Sequence, residues 1–355
     1  MSFAIWGLGT ALPEDSVSQE RAAVLINRAS GYNEEQSRWV ESVYRGAGVR
    51  NRHLFMLEHL DEILGSTGDP PRFTAGWRMG RYDEAIRPLS LEAASRALES
   101  AGMAAEEITH LITVSCTGFA SPGFDLGLFD GLGLDPGVQR TQIGFMGCHG
   151  ALNGLRVAGA FASADRSARI LVCAAELPSL HFRYEPDPRQ SVVNALFADG
   201  AAAAVGRAGS PDGTDPWRLV ASGSAVIPGT ADAMTWKIGD RAFQMTLSPK
   251  VAGMITANLR TWLGRWLESK GLGLGEVASW AIHPGGPRIL DAAEEALGLG
   301  RSATADSRDV LAECGNMSSP TVLFILDRLR SRRAPLPCVS LAFGPGLTIE
   351  AALFA

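Results

Sequence analysis

The chain has 355 residues, a formal net charge of -6 and a pI near 5.6. Hydrophobic residues make up 46% of it and charged residues 20%, which is typical of a compact globular protein and excludes a disordered or fibrous chain. The acidic balance gives no general attraction to nucleic acid or to an anionic membrane, so we expect neither as a partner.

Five cysteines are spread along the chain: Cys116, Cys148, Cys173, Cys314 and Cys338. They form no CxxC pair and no metal-ligand spacing, so the sequence predicts neither a disulfide framework nor a metal site. The N-terminus lacks a charged segment followed by a long apolar core, and no run of about 18 apolar residues occurs. We therefore expect a cytoplasmic protein with reduced thiols.

The predicted elements of the first half are, in chain order, a strand over 3–8, a helix over 88–102, and strands over 109–114 and 168–174. The helix follows from Leu91, Ala94 and Leu98 sharing one face, with Gly102 as a stop. The later strands are short and apolar and are bounded by turn residues, which is typical of buried parallel strands.

The same order of elements returns after a polar, Gly/Pro-rich stretch at 209–216. It comprises a strand over 219–226, a helix over 249–269, a strand over 277–282 and a closing hairpin over 338–355. Two α/β halves are therefore predicted, 1–212 and 213–355, with the boundary near residue 212.

A candidate nucleophile lies in Thr141-Gln-Ile-Gly-Phe-Met-Gly-Cys148-His-Gly, where a strand leads into Gly-Cys and then into a helix of small residues. A helix N-terminus offers free N–H groups and partial positive charge, so we expect it to lower the pKa of Cys148. A structural buried cysteine is the alternative.

Two further polar residues stand next to predicted elements. The strand over 279–282 ends in His283-Pro-Gly-Gly-Pro287, where an imidazole could pair with a thiolate or donate to an oxyanion; a satisfied core histidine is the alternative. Asn316, in Gly315-Asn-Met-Ser-Ser319, precedes an apolar helix. Its amide could cap that helix or stabilise an oxyanion.

Gly-Cys before a helix, His at a strand end and Gly-Asn before a helix, in this order, resemble the thiolase superfamily. The strings 282–287, 315–319 and Phe343-Gly-Pro-Gly-Leu-Thr348 resemble its chalcone and stilbene synthase branch, the type III polyketide synthases. The resemblance implies two duplicated α/β halves in a layered α-β-α-β-α sandwich. A ketoacyl synthase III, condensing once on a malonyl carrier protein, and a non-catalytic thiolase-fold subunit are the alternatives.

By this resemblance the protein is an acyltransferase with Cys148, His283 and Asn316 as catalytic residues. Cys148 would carry an acyl-CoA starter as a thioester, and His283 and Asn316 would stabilise the enolate of malonyl-CoA as it loses carbon dioxide. The product would close to a pyrone, a resorcinol or a related ring. CoA thioesters serve as substrates, so no cofactor, metal or carrier protein is implied. Ser121-Pro-Gly123 resembles a loop that the family inserts into its dimer partner, which implies a homodimer.

The resemblance also implies residues that bind the substrate. Phe197 matches a gatekeeper phenylalanine, and Met245 replaces a second one, unless Phe243 takes that place. The other implied substrate contacts are Cys116 and His181, which stand where plant enzymes carry threonines, Ser318 beside Asn316, and Pro345 in the Gly-Pro-Gly turn. Arg45 and Arg50, in a basic segment over 45–53, are implied as contacts to the CoA phosphates.

Overall fold

The structure is a computed structural model that describes residues 2–66, 68–210 and 217–355. Its strands are β1 (Phe3–Ala11), β2 (Ser16–Ser18), β3 (Asn51–His53), β4 (His110–Ser115), β5 (Gln139–Gly144), β6 (Arg169–Glu176), β7 (Gly200–Ala208), β8 (Arg218–Val226), β9 (Met234–Ile238), β10 (Phe243–Leu247), β11 (Ser279–Ile282), β12 (Cys338–Gly344) and β13 (Thr348–Phe354).

The α-helices of the described residues are α1 (Gln19–Ser30), α2 (Glu34–Gly46), α3 (Leu60–Gly65), α4 (Ala75–Ala101), α5 (Phe124–Leu132), α6 (Gly150–Ala164), α7 (Pro188–Leu196), α8 (Val251–Glu268), α9 (Pro287–Leu297), α10 (Ala305–Cys314) and α11 (Thr321–Ser331). None of them is both long enough and apolar enough to cross a membrane.

The main sheet repeats one arrangement of strands in each half of the chain. Its order is β11-β12-β13-β8-β1-β7-β6-β4-β5. In the first half β1, β7 and β6 pair antiparallel and β6 pairs parallel with β4; in the second half β8, β13 and β12 pair antiparallel and β12 pairs parallel with β11. Among the described residues, the two sets are joined where Phe3 and Ala4 of β1 pair with Leu219 and Arg218 of β8. The predicted duplication is confirmed.

The helices form three layers around the two sets of strands. Helix α4 packs on β1 and β7, α8 and α9 pack together on the far side, and α6 and α11 contact strands of both halves and so lie between them. Close approach of α4 to β1 depends on Gly7 and Gly9, because a Cβ there would lie 2.1 Å from Ala97 O and 2.3 Å from Ala93 O. The predicted α-β-α-β-α sandwich is confirmed.

Most predicted elements are present, with one large error in length. The helix predicted from Pro88 is the second half of α4, which begins at Ala75 after Thr74 accepts a hydrogen bond from Trp77 N. Proline removes one backbone donor from a helix interior and usually ends a helix, so the sequence argument started α4 too late. The predicted boundary at residue 212 lies outside the described residues.

The fold brings the polar residues singled out above to one end of the sheet. Strands β4, β5 and β6 run parallel, and so do β11 and β12. Cys148 follows β5 and His283 follows β11, so both leave a strand at its carboxyl end, the edge where α/β sheets collect their sites.

Candidate active site

Cys148 lies on a short 3₁₀ turn, Gly147–His149, directly before α6. Gly147 has a φ of 69°, and a Cβ on it would lie 2.6 Å from Cδ of Pro345, so only glycine fits between the turn and the Gly-Pro-Gly segment. The helix therefore begins two residues after the cysteine rather than at it. All five cysteines are free and buried.

The thiol of Cys148 is in an apolar setting. Burial raises its pKa to about 11, while the nearby hydroxyl of Ser318 and amide of Asn316 oppose that shift. Ser318 Oγ donates to Sγ over 3.6 Å. The expected lowering of the pKa by the helix N-terminus is wrong for the free protein, because removal of the thiolate from water outweighs the partial charge of the helix.

His283 is buried and lacks hydrogen-bond partners for its ring. Its backbone N–H donates to Leu341 O over 2.8 Å, which fixes the residue at the end of β11. Only 1% of the residue is exposed, and neither Nδ1 nor Nε2 has a partner among the described residues. Burial lowers the pKa of His283 to about 3, and the nearby imidazole of His149 adds to the shift. This is not a satisfied core histidine.

Asn316 is held by the backbone of the first half of the chain. Its N–H donates to Leu196 O over 2.9 Å, its carbonyl accepts from Ala198 N over 2.9 Å, and it forms a parallel bridge with Phe197. The side-chain oxygen accepts from Ser318 N, whereas Nδ2 is buried without a partner in the described chain. Since α11 begins only at Thr321, the helix-cap interpretation of Asn316 is wrong.

The unpaired buried polar atoms of the described chain include Nδ2 of Asn316, whose amide acts on the thiol, and the ring nitrogens of His283, which lies near His149, the residue after Cys148. A buried polar group without a hydrogen bond costs about 1–3 kcal/mol, so native structures rarely retain one without a functional reason. Ser318 adds a strained backbone, with a φ of 61°, that aims its hydroxyl at Cys148. The arrangement suits a reaction in which an oxygen becomes negatively charged next to the sulfur.

Cys148 opens into a cavity with about 570 Å³ of space not filled by protein atoms, which we call the Cys148 cavity. Its wall is mostly apolar. All six residues that the resemblance implies as substrate contacts line it: Cys116, His181, Phe197, Met245, Ser318 and Pro345. Phe243 lines it as well, so both candidates for the second gatekeeper face the cavity.

A buried carboxylate organises the wall behind the thiols, and the sequence argument missed it. Glu176, at the end of β6, accepts from Cys116 N, from Thr117 Oγ1 over 2.6 Å and from Ser319 Oγ over 2.8 Å. Burial raises its pKa. Cys116 Sγ in turn lies 3.6 Å from Ser318 Oγ, so Ser318 links the two thiols.

A larger groove, with about 1380 Å³ of unfilled space, runs between α2 and the start of α9; we call it the α2–α9 groove. Met245 and Val193 line both this groove and the Cys148 cavity, so the two spaces adjoin. Trp39, 41% exposed, lines the α2 side.

Gly46 and Ala47 of the predicted basic segment line this groove, but the arginine side chains of that segment do not. Arg45 is exposed at the end of α2, Arg50 pairs with Glu313 at 3.6 Å, and Arg52 is buried and donates to Phe197 O over 2.8 Å. The cation in the groove wall is Arg288, which the sequence argument missed although it directly follows His283-Pro-Gly-Gly-Pro. Arg288 makes no ion pair or hydrogen bond with the described residues.

No group of three or more His, Cys, Asp or Glu side chains in the described parts of the chain is placed to hold a metal ion.

Comparison with known proteins assigns the family. Residues 2–210 match the family described as chalcone and stilbene synthases, N-terminal domain, and residues 218–355 match its C-terminal domain. Bisdemethoxycurcumin synthase of Oryza sativa subsp. japonica is 34% identical over 99% of this chain and 91% of its own. The alpha-pyrone synthesis polyketide synthase-like Pks18 of Mycobacterium tuberculosis is 31% identical over 99% and 90%.

A solved structure, PKS-I from the brown alga Ectocarpus siliculosus, superposes with a TM-score of 0.92 and 31% identity, covering 99% of this chain and 98% of that one. The chain therefore belongs to the chalcone and stilbene synthase family and is a type III polyketide synthase, an acyltransferase.

Proposed function

We propose that the enzyme condenses malonyl-CoA onto an acyl-CoA starter that is held as a thioester on Cys148. The observation that carries this proposal is a buried thiol that opens into an apolar cavity, together with an unpaired amide donor on Asn316 and an unpaired buried imidazole on His283 within the described chain. A thiol in that setting can hold an acyl chain, and the donors can stabilise an oxyanion.

Loading of the starter begins from a neutral thiol and a neutral imidazole, in keeping with the raised pKa of Cys148 and the lowered pKa of His283. As Sγ attacks the thioester carbonyl, His283 accepts the thiol proton as a general base. The new S–C bond forms, the bond to the CoA sulfur breaks, and the proton passes to the departing CoA thiolate.

Extension uses the same donors. Loss of carbon dioxide from malonyl-CoA leaves an enolate, whose oxygen accepts hydrogen bonds from a ring N–H of His283 and from Nδ2 of Asn316. The enolate carbon then attacks the thioester on Cys148. A C–C bond forms, Cys148 is released, and the lengthened chain stays on CoA. Departure of carbon dioxide drives the step, so the chemistry calls for no redox cofactor.

The CoA arm of each substrate lies in the α2–α9 groove, which adjoins the Cys148 cavity at Met245. Arg288, exposed and unpaired within the described chain, contacts a phosphate of CoA, and Trp39 offers a flat apolar surface on the opposite side. The contacts implied for Arg45 and Arg50 stay predictions, as neither residue lines the groove.

The product is an extended chain that closes to a pyrone, a resorcinol or a related ring. The mostly apolar cavity wall supports an apolar acyl starter. Plant specificity does not transfer to this chain, because Cys116 and His181 occupy positions where plant enzymes carry threonines. The cytoplasmic location expected from the sequence stays a prediction.

A homodimer is supported by the edge of the main sheet. Strand β5 lies at one end of the strand order and is mostly exposed. Phe119 and Met146, both partly exposed large hydrophobic residues, flank it, and the Ser121–Gly123 segment lies beside Phe119 in the chain. An unpaired strand edge with exposed apolar neighbours can pair with a second copy. Light scattering of the purified enzyme would test the dimer.

The test of the proposed function is an assay with purified enzyme, malonyl-CoA and a panel of acyl-CoA starters, without carrier protein. We expect starter-dependent release of carbon dioxide and a product extended more than once, detected by liquid chromatography and mass spectrometry. Activity only with a malonyl carrier protein would overturn the proposal in favour of a single condensing step.

A further inference from the structure

The hairpin formed by β9 and β10 builds one wall of the Cys148 cavity. It contributes Met234, Trp236, Phe243 and Met245 to the lining. Among the described strands it pairs with none of the main sheet and forms a separate two-stranded sheet. The position of this wall must therefore be set by contacts other than ladder hydrogen bonds.

One such contact is made by His181, on the 3₁₀ turn Pro178–His181 after β6. Phe243 N donates to His181 Nδ1 over 3.1 Å, and His181 Nε2 lies 2.7 Å from Thr117 O. Because an amide N–H only donates and a carbonyl only accepts, these partners specify the neutral ring with its hydrogen on Nε2. Burial lowers the pKa of His181 to about 3, which agrees with that form.

Stacking adds to the hydrogen bonds. The His181 ring lies parallel to the ring of Phe243, with centroids 4.2 Å apart, and edge-on to Trp236 at 5.3 Å. Trp236 Nε1 donates to Cys116 O over 2.7 Å. Trp236 thus binds β9 directly to the segment that carries Cys116 and Thr117, and His181 binds β10 to the same segment.

The turn of the hairpin is held separately by Arg78 of α4. Its Nε donates to Arg241 O over 2.9 Å, and its Nη1 donates to Phe182 O over 3.2 Å. The segment that presents His181 and the turn that precedes Phe243 are therefore fixed to one buried guanidinium. Loss of His181 would free the strand while leaving the turn in place.

We propose that His181 is a positioning residue, and that its two hydrogen bonds hold the hairpin against the first half of the chain and so limit the length of the acyl chain that the cavity accepts. Met245, two residues beyond Phe243 on the same face of β10, lines both the cavity and the α2–α9 groove. Fixing Phe243 therefore also holds Met245 in place at the boundary between the two spaces. This inference rests on the proposed function.

Replacing His181 should change the length of acyl chain that the cavity accepts, because both hydrogen-bond partners of the imidazole would lose their bonds. Without the imidazole, Phe243 N–H and Thr117 C=O would be buried and unpaired, a state that proteins avoid. A hairpin without ladder bonds to the main sheet can move outward until water reaches those groups. The cavity then gains length, while Cys148, His283 and Asn316 keep their own supports.

The test uses two matched replacements. His181→Phe keeps a ring that can stack on Phe243 but removes both hydrogen bonds, whereas His181→Gln keeps an acceptor and a donor without the ring. Each variant and the wild type are assayed with malonyl-CoA and a series of straight-chain acyl-CoA starters of increasing length, and kcat/KM is determined for each starter.

We expect kcat/KM of the wild type to fall for all starters longer than a certain chain length, which is the limit set by the cavity. His181→Phe should raise kcat/KM for the first rejected starters by about tenfold or more, the scale on which a pocket discriminates one methylene. His181→Gln should keep the wild-type limit. An unchanged limit in His181→Phe, or an equal loss for all starters, would overturn the inference.

Trp236→Phe provides a second route, since it removes only the bond to Cys116 O and keeps an aromatic ring in the wall. Trp236→Phe should also increase the length of the longest accepted starter. If circular dichroism shows that His181→Phe does not fold, Trp236→Phe tests the inference in its place. A wild type that makes no product from any CoA starter contradicts the proposed function. If the wild type is active and every variant accepts the same longest starter, only the inference about His181 is contradicted.

Discussion

The Cys148 cavity and the α2–α9 groove adjoin, yet they are held in different ways. The cavity wall is held by hydrogen bonds that Glu176 accepts, that Trp236 donates, and that His181 both accepts and donates; each of these side chains is buried or partly buried. The groove wall is mainly apolar, and its cation, Arg288, is exposed and has no partner in the described chain. A space fixed by bonds can select an acyl chain by size, whereas an open apolar groove can hold a long, shared carrier arm.

The largest effect is expected inside the cavity, at the nucleophile. Cys148→Ala should lower polyketide formation by about 10⁴-fold or more, because the covalent intermediate cannot form. Product formation is measured with malonyl-CoA and an accepted starter. Cys173→Ala is the matched control, since Cys173 is a buried thiol that does not line the cavity and should leave the rate close to that of the wild type.

The next largest effect is expected at a buried ion pair that helps to hold the hairpin of the cavity wall. Arg78 and Asp69 form an ion pair at 3.1 Å with 0% and 1% of their side chains exposed. Arg78→Leu leaves the buried Asp69 with only the longer ion pair to Arg241 at 3.8 Å and the N–H of Tyr184, and should lower the free energy of unfolding by about 3–5 kcal/mol. Urea denaturation measures the change. Arg87→Ala, which breaks an exposed pair with Asp83 on the same helix, should lower it by about 1 kcal/mol or less.

A smaller effect is expected from replacing His283, the proposed acceptor of the Cys148 proton. In the intact protein the pKa of Cys148 near 11 leaves little thiolate at pH 7, so attack at that pH depends on transfer of the thiol proton to the neutral imidazole as the new bond to sulfur forms. Alkylation of Cys148 by iodoacetamide at pH 7 should therefore be about 10²-fold slower in His283→Ala than in the wild type. The rate of the variant should climb steeply between pH 8 and 11, reading the deprotonation of the thiol.

Alkylation rates that follow the same pH profile in both proteins would show that His283 does not accept the proton of Cys148.

The smallest effect is expected in the groove. Arg288→Ala should raise KM for CoA thioesters by about tenfold, because one charge-assisted hydrogen bond to phosphate is worth about 1.5 kcal/mol or more. N-acetylcysteamine thioesters, which lack the phosphates, should be turned over as by the wild type. Arg50→Ala in the same assay tests the contact implied by the resemblance.

If Arg50→Ala raises KM for CoA thioesters and Arg288→Ala does not, the CoA phosphates bind outside the α2–α9 groove.

Candidate residues of the reactive centre could be predicted from the sequence, whereas their surroundings could not, for a physical reason. Cys148, His283 and Asn316 stand in short strings next to strand and helix ends, so local sequence indicates both their chemistry and their place in the fold. Helix boundaries were less certain, as in α4, where Pro88 lies inside a helix that tertiary packing on β1 and β7 sustains.

Residues whose partners lie far away in the chain could not be recognised from the local sequence pattern. Trp236 bonds to Cys116 and Arg78 bonds to Arg241, pairs separated by more than a hundred residues in the chain. Their roles depend on how the hairpin folds over the cavity, which no motif indicates. The pKa of Cys148 was mispredicted because its burial by the second half of the chain outweighs the helix end that local sequence shows.

Peptide mapping by mass spectrometry most directly tests the claim that Cys148 carries the chain in its cavity. The enzyme is incubated with an accepted acyl-CoA starter without malonyl-CoA, digested, and examined for the acyl group; malonyl-CoA is then added to a parallel sample. The account predicts the acyl mass on the peptide that contains Cys148 and its disappearance as extended product forms. An acyl group on a different residue, or product formed without acylation of Cys148, would contradict it.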